Sequence, residues 1–184
     1  MSHDLRGSLA NLRMGLQACR ESPDMLAVLG EALLQEVDKL DGRLVQLGWM
    51  ARCGAPHREE CSIQLLVESW AQERGLEDLK LAQVRALVDP DLLKAALDQL
   101  FQNAQTHGGG CSQVCLTVQD MRFRLEVCDQ GTGWPDGLPE WLEDPQLWRG
   151  QIALGLPLAQ RVARAHQGEL LLLEGGVVAL SLPL

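Results

Sequence analysis

Two short patterns place oxygen ligands and glycines where they suit nucleotide chemistry. Asp129 follows an alternating stretch that predicts a strand, and Gly131 and Gly133 come shortly after it. A carboxylate at a strand end can accept hydrogen bonds from an exocyclic amine such as that of adenine, and glycines let a backbone approach a ligand closely. Asn103 lies in a largely apolar stretch typical of a helix, and its amide oxygen suits a hard cation such as Mg²⁺. Taken singly, each pattern is also compatible with a plain turn or a solvated helical side chain.

Two further patterns suit the transfer of a phosphoryl group. Between Gly150 and Leu156 a loop turns into a helix, whose first backbone amides and dipole favour a phosphate. His3 and Asp4 stand side by side at the start of a helical stretch. There the imidazole would attack a phosphoryl group, and the carboxylate would accept the imidazole proton. The simpler interpretations are a helix cap in the first case and a solvated terminal histidine in the second.

The elements that must position these residues begin with two seamed helices. Apolar residues recur with 4-3-4-3 spacing in two stretches, as they do along a coiled-coil seam. Two such helices form an antiparallel hairpin, but one hairpin alone cannot cover both stripes, whereas pairing with a second copy in a four-helix bundle would cover them. The sequence therefore predicts a homodimer. The seam positions are Leu5, Leu9, Leu12, Leu16 and Cys19 in the first stretch and Leu33, Val37, Leu40, Leu44 and Leu47 in the second.

The rest of the chain predicts a helix-and-sheet sandwich, so the whole is of the α+β class. Glycine and proline enter where the heptads stop, which places the hairpin at residues 1–53, a linker at 54–60 and the second domain at 61–184. In the second domain we predict a helix that carries Leu65, Leu66, Ser69 and Trp70, a short strand near Gln83–Leu87 and a helix from Asp89 to His107. Strands at Val114–Val118 and Phe123–Cys128, a loop at Gln130–Gln151, a helix from Gly155 ended by Gly168 and a terminal hairpin at Leu170–Leu182 follow.

Composition narrows the classes of protein. The chain of 184 residues is 46% apolar, and no run approaches the roughly 18 to 20 consecutive apolar residues that span a bilayer. Its start lacks the basic and apolar regions of a secretory signal, so we expect a cytoplasmic location. A net charge of −9 disfavours nucleic acid as a partner. The six cysteines form no C-x-x-C pair, which favours reduced, packed thiols over a zinc site.

In their order along the chain, the four patterns resemble the sequence boxes of the sensor histidine kinases of two-component signalling. The resemblance is to the transmitter core, in which a dimerisation and phosphotransfer hairpin precedes an ATPase domain of the GHKL, or Bergerat, type. It covers nearly the whole chain. The matching segments are Ser2–Arg6 for the H box, Leu100–Ala104 for the N box, Asp129–Gly133 for the first glycine box, Ala153–Leu156 for the second glycine box and His166–Leu170 for the closing segment.

The resemblance implies an ATP-dependent protein-histidine kinase. His3 would be the phosphoacceptor and Asp4 its general base, and the phosphoryl group would pass to an aspartate on a response-regulator receiver domain. Asn103 would hold Mg²⁺, Asp129 would bind adenine, and catalysis would consist mainly of positioning and charge neutralisation. The residues implied to bind the cofactor ATP are Asn103, His107, Asp129, Gly131, Gly133, Arg149, Gly150, Leu154, Gly155 and Leu156.

Some positions depart from the family pattern and leave a second interpretation open. Gln99 stands where a first asparagine of the N box is usual, Thr106 replaces a basic residue, and Ala153 replaces a glycine. The alternative is a degenerate, non-catalytic relative that acts as a phosphotransfer or docking adaptor with weak or no ATP binding. The family's first helix normally extends upstream, so we also expect a missing upstream segment, through which alone the protein would reach a membrane.

The charge distribution adds an expectation about ATP binding. Residues 61–184 hold 9 basic and 16 acidic groups, a net charge of −7, although this is the domain proposed to bind a polyanion. Between residues 99 and 160 the cations are Arg122, Arg124 and Arg149. The sequence therefore predicts that ATP affinity depends strongly on Mg²⁺.

Overall fold

The computed structural model describes residues 2–143 and 154–184, with side chains from residue 6 onward. The described chain divides into two units, residues 2–48 and residues 49–143 together with 154–184. No helix in these ranges is long and apolar enough to cross a membrane. The predicted limits of the hairpin, the linker and the second domain stay a prediction.

The first unit is built from an antiparallel pair of helices. Helix α1 covers Ser2–Glu21 and helix α2 covers Met25–Arg52, whose last turn belongs to the second unit. Gly15 lets the helices pack closely, because a Cβ atom there would come within 2.4 Å of Leu33 Cδ2. Nearer the start of α1, Arg43 donates a hydrogen bond to Ser8 Oγ at 3.3 Å. The predicted hairpin is therefore present.

The seam of this hairpin remains largely open to solvent in the single chain. Leu9, Leu16, Val37 and Leu44 are 48 to 59% exposed. All of α2 lies within the described residues, and none of its side chains is buried. The hairpin thus lacks a core of its own, as the predicted pairing with a second copy requires.

The second unit contains seven strands and four helices among its described residues. Five strands form one sheet in the order β2-β4-β5-β7-β6, in which only the β2–β4 pair is parallel, while β1 and β3 form a separate antiparallel pair. The elements are β1 Glu59–Ser62, α3 Ile63–Gln72, β2 Leu79–Leu81, β3 Arg85–Val88, α4 Pro90–His107, β4 Cys111–Gln119, β5 Arg122–Asp129, α5 Leu138–Glu143, α6 Gly155–Ala165, β6 Glu169–Leu173 and β7 Val177–Pro183.

The core of the second unit lies between one face of the large sheet and helices α4 and α6. Buried side chains alternate along the strands, and cross-strand neighbours such as Leu125 and Leu180 meet on the same face. Helix α4 begins where Asp89 caps it, since the Asp89 side chain accepts from Leu92 N at 3.1 Å and Pro90 occupies the first turn.

Most predicted elements of the second unit are confirmed, with four differences. The α4 helix, the β4–β5 hairpin, the start of α6 at Gly155 and the terminal hairpin agree with the sequence analysis. Strand β1 and helix α5 were not predicted, because four and six residues are too few to establish a period. In consequence, β1 begins inside the predicted linker, and α5 interrupts the predicted loop at Gln130–Gln151. Strand β2 was also missed, and the strand predicted at Gln83–Leu87 is found at Arg85–Val88.

Candidate functional site

Asp129 occupies the last position of β5, the end of a central strand. Its backbone N–H donates to Gly176 O at 3.1 Å, at the entry to β7. One carboxylate oxygen, Oδ1, accepts from Gly131 N at 2.7 Å, so the first glycine box folds back over the side chain. Gly133 has a φ of +117°, a conformation that favours glycine. The predicted adenine-binding carboxylate is therefore held at a defined place on the strand end.

Three glycines surround the Asp129 side chain. A Cβ atom on Gly108 would lie 2.2 Å from Asp129 Cγ, and one on Gly176 would lie 2.0 Å from Oδ1. A Cβ atom on Gly131 would lie 2.9 Å from the same oxygen. Backbone from the end of α4, the glycine box and the last hairpin thus packs directly against the carboxylate. We refer to Gly108, Gly131 and Gly176 as the glycine cage.

Two members of the glycine cage were missed by the sequence analysis as site residues. Gly108 directly follows the helix predicted from Asp89 to His107, and Gly176 lies within the predicted terminal hairpin, so the pattern indicates only a turn residue at each position. Both interpretations are correct locally, since Gly108 N donates to Ala104 O at 2.9 Å and Gly176 has a φ of +75°. No local signal distinguishes these glycines from other turn glycines, because their role depends on Asp129, a residue distant in sequence.

Helix α4 brings the N box to the start of α6. Asn103 is half-buried, and Gln99 lies one turn earlier on the same face. A Cβ atom on Gly155, the first residue of α6, would come within 3.2 Å of Gln99 Oε1. Leu154 precedes this turn and Leu156 is buried within it. The departure at Gln99 therefore lies directly against the second glycine box.

The same helix joins the two halves of the site. Gln99 contacts the start of α6, and nine residues later Gly108 contacts Asp129. At 1.5 Å per residue these contacts are about 14 Å apart along α4, a separation suited to an extended nucleotide. Asn103 lies between them, whereas His107 and Thr106 are exposed at the end of the helix.

Other predicted site residues fall outside what the structure describes. Arg149 and Gly150 are outside the described residues, as is Ala153 of the second glycine box. His3 and Asp4 lie in the first turn of α1, but their side chains are not among those described. The roles predicted for these residues stay predictions.

The described cations of β5 do not reach this site. Arg122 and Arg124 precede Asp129 by seven and five residues, which corresponds to about 23 and 17 Å along an extended strand. Arg122 donates to Ser181 Oγ at 3.0 Å, and Arg124 lies 3.9 Å from Glu126. Arg122 and Arg124, two of the three cations between residues 99 and 160, thus bind other groups away from Asp129.

The donor set is compatible with Mg²⁺ bound together with a nucleotide. The described residues contain no group of three or more His, Cys, Asp or Glu side chains that could hold a metal ion. Mg²⁺ commonly takes one or two protein oxygens and completes its shell with phosphate oxygens and water. The half-buried amide of Asn103, between the Asp129 end and the α6 end of α4, fits that kind of site.

Comparison with known proteins gives the family. The model of the family described as "Histidine kinase-, DNA gyrase B-, and HSP90-like ATPase" matches residues 88–184, more than half of the chain. The chain therefore belongs to this ATPase family. The matched region contains α4, Asp129 and the whole glycine cage.

Relatives and solved structures extend the similarity over the hairpin. The Sensor histidine kinase GlrK of Escherichia coli (strain K12) is 24% identical, over 95% of this chain and 42% of that protein. The chain thus spans less than half the length of this relative. The Acinetobacter baumannii histidine kinase AdeS aligns with a TM-score of 0.76 and 18% identity, over 98% of this chain and 97% of that one.

A further solved structure is that of histidine kinase ThkA in complex with response regulator protein TrrA. It aligns with a TM-score of 0.75 and 18% identity, over 99% of this chain and 59% of that one. At this identity the two structural likenesses show a shared fold. The resemblance to a histidine kinase transmitter core and the α+β fold of the GHKL type are confirmed.

Proposed function

We propose that the chain is the core of an ATP-dependent protein-histidine kinase of a two-component system. The observation that carries the proposal is the arrangement around α4. This helix holds Asn103, meets the start of α6 through Gln99, and ends in Gly108 against Asp129. A nucleotide lying along α4 would meet an amine acceptor at one end and a helix start at the other.

Most residues of the proposed set have a defined part in nucleotide binding. The Asp129 carboxylate accepts a hydrogen bond from the exocyclic amine of adenine, and Gly131 and Gly133 shape the pocket beside it. The first amides of α6, at Gly155 and Leu156, face the phosphates together with the preceding Leu154. Asn103 holds Mg²⁺, which neutralises phosphate charge when bound. His107, Arg149 and Gly150 complete the proposed set.

The chemical step is transfer of the γ-phosphoryl group to His3. A nitrogen of the imidazole forms a bond to the γ-phosphorus while the bond between that phosphorus and the bridging oxygen breaks, which releases ADP. Asp4 accepts the proton that the imidazole loses. The phosphoryl group then moves from His3 to an aspartate carboxylate of a response-regulator receiver domain.

Two protein partners follow from this function. A second copy of the chain would cover the open seam of the hairpin. A receiver domain would dock on the face of α1 below His3, where Asn11 and Arg13 are exposed. ThkA, a structural neighbour, is recorded in complex with a response regulator. Because ATP and receiver domains are cytoplasmic, we place the core on that side of any membrane to which an upstream segment would attach it.

A second candidate function is supported by the contact of Gln99. Its side chain lies against Gly155, in the second glycine box, whose helix start is the part proposed to meet the phosphates. Thr106 is exposed and brings no charge to the site. A chain that kept the fold but lost ATP binding would act as a phosphotransfer or docking adaptor.

Incubation with γ-labelled ATP and Mg²⁺ separates the two functions. We expect acid-labile label on the parent and on His57→Gln, which changes an exposed histidine outside the site, and no label on His3→Gln. Asn103→Ala, which removes the oxygen ligand, and removal of Mg²⁺ with EDTA should each abolish labelling, and EDTA should lower ATP affinity at least tenfold.

Calorimetric titration of ATP completes this test. If the parent shows no heat of binding and takes no label, the kinase function is contradicted and the adaptor is supported. Nucleotide binding without label would also contradict the kinase activity of this chain. Label that persists in His3→Gln would contradict the assignment of the phosphoacceptor.

A further inference from the structure

Asp89 is a carboxylate that is fully buried at the start of α4. Its side chain accepts from Leu92 N at 3.1 Å, which caps the helix, and from His57 N at 2.8 Å. Both oxygens also accept from Arg52 Nη2, at 3.1 and 3.2 Å. Burial alone would raise the pKa of this carboxyl, but these hydrogen bonds and the Arg52 charge bring its pKa below the ordinary value. Asp89 is therefore ionised and needs its partners.

The backbone of Asp89 connects α4 to the end of α6. Asp89 N donates to His166 Nε2 at 2.8 Å. The other ring nitrogen of His166 is 2.8 Å from Val162 O, to which it donates. Arg58 also donates to Ala165 O in the last turn of α6. The start of the N-box helix and the end of the second-glycine-box helix are thus fixed to one another.

Arg52 links this junction to the last turn of α2. Its Nη2 atom lies 3.1 Å from an oxygen of Asp91 as well as contacting Asp89. The Arg52 guanidinium also lies 5.4 Å from the ring centroid of Trp49, one turn earlier on α2. In the ion pair with Asp89, the Asp89 carboxylate is fully buried, whereas the Arg52 side chain is 35% exposed. Such a pair resists salt screening better than a surface pair.

We infer that Arg52 is a positioning residue for phosphotransfer, an inference that rests on the proposed kinase function. Helix α2 is continuous from Met25 to Arg52, so its last turn is covalently part of the helix that follows the phosphoacceptor helix. The tie to Asp89 connects that turn to α4, the helix that holds Asn103. Without the Arg52–Asp89 ion pair, residues 53–58 would connect the last turn of α2 to the rest of the second unit. Phosphotransfer within one assembly depends on the effective concentration of the two reacting groups, which falls when a tether loosens.

The role is distinct from nucleotide binding. Arg52 touches the first turn of α4, whereas Gln99, Asn103 and Gly108 lie two or more turns further along the helix. Loss of Arg52 should therefore slow phosphotransfer at saturating ATP and leave ATP affinity unchanged. A merely structural residue would instead lower both as the fold loosens.

The test is a comparison of Arg52→Ala, Arg52→Lys and Arg85→Ala in the full chain. Arg85 is the control, because its ion pair in the same unit, at 2.9 Å, is with Glu60 rather than with Asp89 or Asp91 at the start of α4. At saturating ATP we expect the autophosphorylation rate of Arg52→Ala to fall about five- to tenfold with an unchanged KM. Arg52→Lys should recover part of the rate, and Arg85→Ala should match the parent. Thermal melts would fix an assay temperature at which all variants are folded.

The outcomes separate this inference from the proposed function. A labelled parent with equal labelling of Arg52→Ala would overturn the inference alone, as would a raised KM for ATP with an unchanged maximal rate. A parent that takes no label would overturn both. A fall in rate for Arg85→Ala equal to that of Arg52→Ala would also overturn the inference, since any lost ion pair would then suffice.

Discussion

At the scale of single residues, the site depends on the lack of side chains on the three glycines around Asp129. A carboxylate enclosed by backbone can neither rotate away nor be shielded by neighbouring side chains. Its Oδ1 atom is held by Gly131 N, and Gly108 and Gly176 close two further sides. The glycine cage thus fixes the direction in which Asp129 presents its carboxylate to a ligand, before any ligand binds.

Gly176→Ala should weaken ATP binding specifically. A methyl group at this position would lie 2.0 Å from Asp129 Oδ1 and would displace the carboxylate. Hydrogen bonds to charged groups contribute about 1.5 to 3 kcal/mol, so we expect affinity to fall about tenfold to a hundredfold in calorimetric titration.

Gly175→Ala is the matched control for this variant. Gly175 has a φ of +71°, close to the +75° of Gly176, but a Cβ atom there would meet nothing within 4 Å. Both variants carry the same backbone strain, of roughly 1 to 2 kcal/mol. Equal ATP affinities for the two variants would contradict the role of the glycine cage.

At the scale of elements, α4 organises the second unit. Asp89 caps its start and binds His166 at the end of α6, and Gly108 at its other end packs against Asp129. Helix α6 in turn begins against Gln99. The two helices are therefore connected both where the nucleotide would lie and at the opposite end of the unit.

The connection through His166 should make stability depend on pH. Burial lowers the pKa of His166, and the nearby Arg58 acts in the same direction, whereas the Val162 carbonyl and Asp89 oppose them. The folded state then binds fewer protons than the unfolded state below the ordinary pKa of about 6.5. The stabilisation is complete above that pH and is lost as pH falls from 6.5 towards the lower folded pKa.

Urea denaturation at pH 7.5 and 5.5 measures this effect. We expect the free energy of unfolding of the parent to decrease between these values, and that of His166→Gln to decrease less. Glutamine can accept from Asp89 N and donate to Val162 O without titrating. Asp89 does not confound the comparison, because a lowered carboxyl pKa withdraws its stabilisation only at more acidic pH. An identical decrease in His166→Gln would show that other groups titrate here.

At the scale of the whole molecule, the hairpin and the second unit differ in how they are stabilised. The second unit has a core of alternating strand residues covered by helices. In the first unit, by contrast, large apolar side chains of both helices are exposed. Exposed leucines repeated with heptad spacing are typical of helices that pair with a partner.

Leu44→Glu should convert a dimer into a monomer. Leu44 is a seam residue that is 58% exposed in the single chain, and a buried carboxylate at a bundle seam is strongly unfavourable. Light scattering should give the mass of two chains for the parent and of one chain for the variant at micromolar concentration. Leu65→Glu, at a 63% exposed leucine in the second unit, should remain dimeric. A monomeric parent would contradict the predicted bundle.

Much of the architecture could be read from local pattern. The two helices of the hairpin, the helix that opens at Asp89, the β4–β5 alternation and the terminal hairpin each depend on residues close in sequence, and these predictions are confirmed. The order of the four patterns along the chain was enough to suggest the family. Elements of three to six residues, such as β1, β2 and α5, escaped because they contain too few residues to show a period.

What the tertiary structure alone decided is which distant residues meet. Asp89 and His166 are 77 residues apart and yet share a hydrogen bond, and Gly176 is packed against Asp129 from another hairpin. Helical and strand periods report only which face of an element is apolar, whereas the partner of a given backbone group depends on how all elements pack together. The sequence by itself determined the longer elements and the chemistry that they carry. Packing decided that glycines enclose Asp129 and that Arg52 reaches the buried carboxylate of Asp89, since a buried charge must find its donors wherever the fold brings them.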